Sequence, residues 1–320
     1  MSSLPAPVLV ARNAMATRFE IALHGSNPAS LRAAAEEALD EIDRLEDQLS
    51  LYRPGTEIAR VNAEAHIAPV RVSPGVFRLL ERARALSAET HGAFDITIAP
   101  LVQEWGFMGG TGAMANANLV SEARAFVGMH HVQLDPSEFT VRFDRQGVML
   151  DLGAIGKGHA IECASELLRE AGVTSALIHG GTSSTCAIGR QPNDQPWKVA
   201  ITAPFNSSDQ PFAVVELENE SLSVSAVWGR SFRAGEKILG HVIDPRTGAP
   251  ATGAFMTALV LPSPTEGDAF TTALITAPEL LDDLHASRPA MRSLVLSGNH
   301  TAPKMDGRGI IPLDRARENL

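Results

Sequence analysis

The stretch Asp151-Leu152-Gly153-Ala154-Ile155-Gly156-Lys157-Gly158-His159-Ala160 interleaves three glycines with a carboxylate and a lysine, directly after the apolar run Val148-Met149-Leu150. Glycines let backbone N–H groups approach phosphate oxygens, a helix starting there adds positive potential, and Lys157 adds a full charge. Such a turn suits a phosphorylated ligand. The alternative is a tight turn with a solvated lysine, because the spacing matches neither the dinucleotide nor the P-loop pattern. His241-Val242-Ile243-Asp244-Pro245-Arg246-Thr247-Gly248 sets an imidazole ahead of a turn built from Asp-Pro and Thr-Gly pairs. It reads as a general base working near neutral pH, or as a histidine satisfied at a strand end. Asp268 and Thr272 stand four apart, on one face of a helix. A carboxylate and a hydroxyl so placed suit a hard cation such as Mg²⁺, or are simply an N-terminal charge and a helix-face hydroxyl. Gly92-Ala93-Phe94-Asp95 ends a tight segment in a carboxylate, and Tyr52 is the only tyrosine. That ring is either a stacking platform for a planar heterocycle or a side chain packed on a helix.

These groups need a scaffold. Phe19 to Leu23 alternates as a strand, and Leu31, Ala35, Ala38, Ile42, Leu45 and Leu49 mark a long amphipathic helix from about Ala29 to Ser50. A second helix starts at Ser73 as N-cap with Pro74 in its first turn, turns Phe77, Leu80 and Leu86 inward, and stops near Gly92. The segment from Gly109 to Asn118 is small, polar and Gly-rich, the composition of a mobile loop. Strands are predicted at Val141 to Phe143, Val148 to Asp151, Ser175 to Ile178, Lys198 to Ile201, Ala213 to Leu217 and Met256 to Leu261, with a helix from Lys157 to Ala171. Pro204 to Pro211 reads as a loop inside a domain. Grouped strands with only occasional helices between them predict an α+β fold.

Composition narrows the function. With 320 residues, 44% of them hydrophobic, the chain has material for a large core. A formal net charge of −10 argues against a general nucleic-acid binder and leaves room only for a local basic pocket. Cys163 and Cys186 form no disulfide framework and read as small core residues. The N-terminus has no basic region followed by an apolar run of secretory length, and no window holds 18 uninterrupted apolar residues. A cytoplasmic location without a membrane span is therefore expected. Hydrolase signatures of the Gly-x-Ser-x-Gly and His-Glu-x-x-His kinds are absent from the sequence.

Taken in order, Met15-Ala16-Thr17, Ser50-Leu51-Tyr52 with Glu57-Ile58 and Asn62, Gly92 to Asp95 with Trp105-Gly106-Phe107, Asp151 to Gly158, Gly180-Gly181, His241 to Gly248 and Asp268 to Leu274 resemble the FAD:protein FMN transferases, the ApbE-type flavin transferases. The resemblance covers nearly the whole chain. It implies one flavin transferase domain over residues 1–320 with short flexible ends at 1–8 and 304–320. The fold it implies is α+β and related to the T-fold, two closely packed halves of mixed or antiparallel sheet with flanking helices and the nucleotide in the central cleft. The implied reaction is Mg²⁺-dependent transfer of the FMN moiety of FAD to a Thr or Ser hydroxyl of an acceptor protein, releasing AMP. FAD hydrolysis to FMN and AMP, or FAD binding without catalysis, are the alternatives. By matched motif, His241 is the base; Met15, Tyr52, Ala93, Phe94, Asp95, Asp151, Lys157 and Val242 contact the flavin nucleotide; Ala154, through its carbonyl, Asp268 and Thr272 hold Mg²⁺. The chain departs from the family pattern at Ala16, Glu162, Thr182, Thr271 and Ser225 to Trp228, and fewer carboxylates imply weaker Mg²⁺ binding.

Overall fold

The computed structural model describes residues 6–202, 211–235, 237–299 and 302–313. The first half of the chain runs β1 (Val8–Ala14), β2 (Thr17–Leu23), α1 (Pro28–Leu49), α2 (Glu57–Glu64), β3 (Val70–Arg71), α3 (Pro74–Glu89), α4 (Ala99–Glu104), α5 (Ala117–Arg124), β4 (Val132–Asp135) and β5 (Thr140–Phe143). The second half opens with α6 (Gly156–Glu170), β6 (Ala176–Gly180), β7 (Ser184–Ile188), β8 (Trp197–Ile201), β9 (Ala213–Leu217) and β10 (Ser221–Ala226). It closes with β11 (Ser231–Ala234), β12 (Lys237–Gly240), β13 (Met256–Leu261), α7 (Pro264–Thr276), α8 (Leu281–Ser287), β14 (Arg292–Asn299) and β15 (Ala302–Asp306).

The two halves share one eight-stranded sheet, ordered β1-β2-β6-β7-β10-β13-β14-β15 and antiparallel at every pairing. Helices α1, α6 and α7 pack on one face, where Leu39, Ile42, Ile161, Ala164, Phe270 and Leu274 are buried. The other face is closed by the β8–β9 hairpin through Trp197, Val215 and Leu217 against Leu222, Met256 and Leu294. Central strands β7 and β13 are therefore buried along their whole length, as sheets covered on both faces require. The fold is α+β, as the grouping of strands predicts.

The helices begin where the caps stand. Ser73 Oγ accepts from Val76 N–H with Pro74 in the first turn of α3, and Asn27 caps α1 in the same way. The strand expected over Val148 to Asp151 is absent. Its backbone is served by other groups: Asn62 brackets Leu150, accepting from its N–H at 2.7 Å and donating to its carbonyl at 2.9 Å, and Asp151 N–H donates to Ile96 O at 2.7 Å. The Gly109 to Asn118 segment is held at its first half rather than loose, with Gly112 N–H on Gly106 O and Ala113 N–H on Trp105 O. Of the ends expected to be flexible, Val8 belongs to β1 and Lys304–Asp306 to β15; residues 1–5 and 314–320 lie outside the described residues, as does the predicted loop over 204–210. Both cysteines are free; burial pushes the Cys163 thiol up to about 12, which leaves it inert as a nucleophile. No described helix is long and apolar enough to cross a membrane.

The site depends on how closely α6 approaches α7. A methyl group on Gly158 would lie 2.2 Å from the Pro264 carbonyl oxygen and 3.0 Å from Asp268 Cγ. Gly158→Ala is expected to cost about 1–3 kcal/mol of stability through overpacking. The check is a chemical denaturation curve with a lower midpoint and an unchanged slope; an unmoved midpoint would show that the two helices separate freely.

Candidate active site

A cleft of about 890 Å³ opens between the turn before α6, the N-terminal part of α7, the β10–β13 region and the loops after α1 and α3. Every residue named above as base, nucleotide contact or metal ligand lines it: Met15, Tyr52, Ala93, Phe94, Asp95, Asp151, Ala154, Lys157, His241, Val242, Asp268 and Thr272. Groups as far apart in sequence as Met15 and Thr272 converge on one volume.

The turn that begins at Asp151 is built by its own side chain, since Asp151 Oδ1 accepts from Gly153 N–H at 2.8 Å. Helix α6 follows with no side-chain cap at Ile155; Gly156 N–H turns back onto the Leu152 carbonyl at 2.7 Å, and the first turn needs further acceptors. One acceptor comes from another helix. Asp268 Oδ2 accepts from Gly158 N–H at 2.6 Å, while Oδ1 accepts from Ser184 Oγ at 2.7 Å. A carboxylate is thereby fixed at the positive end of α6, a favourable place for an anion. Burial pushes the Asp268 carboxyl above its ordinary range, and half-buried Lys157 opposes that shift through space. Burial likewise raises the Asp151 carboxyl against the pull of the Gly153 N–H, Lys157 and Arg230. Lys157 thus acts on both carboxylates as the nearby cation.

His241 is half-buried at the foot of the β11–β12 hairpin. Its Nδ1 lies 3.1 Å from the Arg230 carbonyl oxygen. A carbonyl only accepts, so Nδ1 carries the hydrogen and Nε2 keeps its lone pair. Burial, with Arg230 and Lys157 as positive neighbours, holds the imidazole below its ordinary pKa, in the neutral form suited to taking a proton. The Phe107 ring packs edge-on beside it at 6.4 Å.

Asp95 behaves differently from a ligand-seeking carboxylate. Oδ1 accepts from Thr97 N–H at 2.8 Å and Thr97 Oγ1 at 2.6 Å, while Oδ2 accepts from Ser87 Oγ and Met129 N–H, both at 3.1 Å. Its four acceptor positions are filled by the chain. The residue shapes the wall, and Thr276 Oγ1 and Thr90 Oγ1 hold the adjoining Ala93 carbonyl and Phe94 N–H. Tyr52, at 57% exposure, stands at the rim of the cleft and not in the core. Trp105 sits in the core with its indole N–H on Gly248 O at 2.8 Å, and Phe107 belongs to the cleft wall.

The departures sort themselves by place. Glu162 lies outside the cleft and ties α6 to the start of α7, accepting from Ser263 Oγ at 2.9 Å and Thr265 N–H at 3.1 Å and pairing with Arg82 at 3.0 Å. Thr271 is fully buried; it donates to Gly267 O at 2.8 Å and accepts from Ser225 Oγ at 2.9 Å, so it faces the sheet and not the cleft. Thr182 lines the cleft. Ala16 sits with φ of 56° beside Met15 at 48°, a two-residue hairpin turn between β1 and β2 whose left-handed backbone favours glycine.

Among the described residues no cluster of three or more His, Cys, Asp or Glu side chains is arranged to hold a metal. Asp268, Thr272 and the Ala154 carbonyl offer oxygen donors only, and each Asp268 oxygen retains a lone pair after its one hydrogen bond. This donor set fits a hard cation that keeps waters and shares ligands with a phosphate. Sequence reading passed over Arg230, Lys198 and Ser184. Arg230 and Lys198 line the cleft as cations, and Ser184 orients Asp268. An isolated arginine after Trp228-Gly229 carries no motif, and only its contacts single it out.

The sequence profile of the ApbE family matches residues 15–289. An FAD:protein FMN transferase of Klebsiella pneumoniae (strain 342) is 29% identical over 274 residues, covering 83% of this chain and 77% of the relative. Among solved structures, the ApbE protein of Thermotoga maritima superposes with a TM-score of 0.83 at 22% identity, covering 94% of this chain and 97% of its own. The apo form of Pseudomonas stutzeri flavinyl transferase ApbE gives 0.81 at 26% identity, with 96% of each chain covered.

Proposed function

Because this chain belongs to the ApbE family, we propose that it is an FAD:protein FMN transferase, which joins the FMN half of FAD to a Thr or Ser hydroxyl of an acceptor protein and releases AMP. The observation that supports this reading most is the convergence of a neutral, oriented imidazole, a buried carboxylate at a helix N-terminus and a lysine on one cleft of nucleotide size. His241 Nε2 takes the proton of the acceptor hydroxyl as that oxygen attacks the flavin-side phosphorus. The P–O bond to the AMP half breaks, so one phosphodiester forms, one anhydride is lost, and the proton ends on the imidazole. Lys157 and the positive N-terminal end of α6 hold the phosphate oxygens, where fixed charge best stabilises the charge that develops. Tyr52 offers its face to the flavin and Asp151 its free acceptor positions to nucleotide hydroxyls or amines. Asp268, Thr272 and the Ala154 carbonyl would hold Mg²⁺, which when bound neutralises charge on the pyrophosphate.

The test is incubation with FAD, Mg²⁺ and candidate acceptor proteins bearing a Thr or Ser target, following AMP, free FMN and acceptor mass. A covalent mass gain equal to the FMN moiety, matched by AMP, is the expected result. FMN with no gain in acceptor mass would convert the reading to an FAD pyrophosphatase, in which water attacks in place of the hydroxyl. FAD recovered intact would overturn both.

A further inference from the structure

Arg230 and His241 flank the β11–β12 hairpin and face each other across its base. The Arg230 carbonyl accepts from His241 N–H at 2.9 Å as well as standing 3.1 Å from Nδ1. At the other end of the residue, Nη2 donates to the carbonyls of Phe107 and Gly110, each at 3.0 Å. Phe107 closes the unit, its ring 6.4 Å from His241 and 5.9 Å from Phe232 of β11. The loop is shaped for this contact: Gly112 has φ of +97°, and a methyl there would lie 2.5 Å from the Phe107 ring and 2.6 Å from that of Phe232. One residue therefore joins the Gly106 to Gly112 loop through its side chain and the imidazole through its carbonyl.

Resting on the reading of His241 as base, we propose that Arg230 is a positioning residue: its guanidinium anchors the Gly106 to Gly112 loop so that its own carbonyl keeps His241 in the Nδ1–H tautomer with Nε2 free for the acceptor hydroxyl. The planar fork explains the residue type. Its two Nη2 hydrogens are fixed in the plane of the guanidinium and reach two carbonyls in set directions, whereas the three hydrogens of a lysine ammonium rotate freely on a flexible stem. The charge has a second role. Arg230 and Lys157 are the cations facing His241, and both disfavour the imidazolium form.

Arg230→Gln and Arg230→Lys, made in the full chain, test this. Nitrogen NMR of the histidine rings in the FAD-free protein, with the His241 signal assigned from its absence in His241→Gln, reads the tautomer directly. Wild type is expected to show Nδ1 protonated, and Arg230→Gln a mixture of tautomers. In transfer assays Arg230→Gln should lower kcat about tenfold, a fraction of what a positioned base supplies. The acid limb of its kcat–pH profile should move to higher pH, because one of two cations opposing imidazolium is gone, while FAD affinity is retained. Arg230→Lys should restore the limb but neither the tautomer nor the rate. An unchanged tautomer and acid limb in Arg230→Gln would overturn the proposal, as would weakened FAD binding at full kcat, which makes Arg230 a nucleotide ligand. The tautomer is read without FAD or acceptor, so a wild type that transfers nothing would count against the transferase reading and not against the Arg230 anchor.

Discussion

His241→Gln is expected to lower kcat for flavin transfer by about 10²–10⁴-fold, the usual contribution of a positioned base, with FAD affinity nearly unchanged. The imidazole stands at the cleft wall with Nδ1 tied to the Arg230 carbonyl, so what the substitution removes is a proton acceptor and not a nucleotide contact. Glutamine keeps a polar side chain of similar length, so the hairpin base stays packed. The wild-type pH profile carries a second check. Burial and the positive charges of Arg230 and Lys157 lower the His241 pKa, and catalysis needs the neutral ring. Activity should therefore hold at neutral pH and decline only as pH falls below the ordinary imidazole value of about 6.5. A profile with its acid limb above that value, or a Gln variant with full kcat, would remove His241 from the role of base.

Asp268→Asn is expected to abolish Mg²⁺-dependent turnover, a loss of roughly 10²-fold or more where charge stabilisation by a bound metal is removed. Asparagine preserves the frame. Its amide oxygen takes the Gly158 N–H, and its NH₂ meets the Ser184 hydroxyl, which can turn to accept. The negative charge alone is lost. That charge is buried, which is why the carboxyl is held above its ordinary pKa. A carboxyl whose folded pKa exceeds its unfolded one costs stability once pH rises through the folded value. The variant free of ligands should thus be at least as stable as wild type near neutral pH, while the added thermal stability that FAD and Mg²⁺ together confer disappears. Asp268→Ala is the harsher change, because Gly158 N–H then lies buried without an acceptor, at about 1–3 kcal/mol. Undiminished turnover of Asp268→Asn at saturating FAD would show that the metal is held elsewhere.

Much of the frame can be read along the chain. Helices α1, α3 and α6 announce themselves by apolar spacing, and for α1 and α3 also by their caps, because a helix satisfies its own backbone and needs only a stripe to bury. Strands β7 and β10 went unpredicted. They are rich in serine and threonine, and hydroxyls among these are satisfied by groups distant in sequence, Ser184 by Asp268 and Ser221 by Leu261 O of the neighbouring β13. The Val148 to Asp151 segment fails in the opposite direction. Its composition suits a ladder, but Asn62 occupies the hydrogen bonds a neighbouring strand would have made.

For the site, the sequence by itself determined the chemistry available: a lysine in a glycine turn, a histidine before Asp-Pro, a carboxylate four residues from a hydroxyl on a helix. Residue type fixes charge, donor count and ordinary pKa, and a family pattern fixes order. What those groups have become was decided only by the tertiary structure. Asp95 turns its acceptors inward, Thr271 faces the sheet, Glu162 fastens two helices, and His241 is held as one tautomer by a carbonyl eleven residues away in sequence. Hydrogen-bond satisfaction and loss of water depend on which distant groups arrive beside a side chain, and no spacing along the chain carries that information.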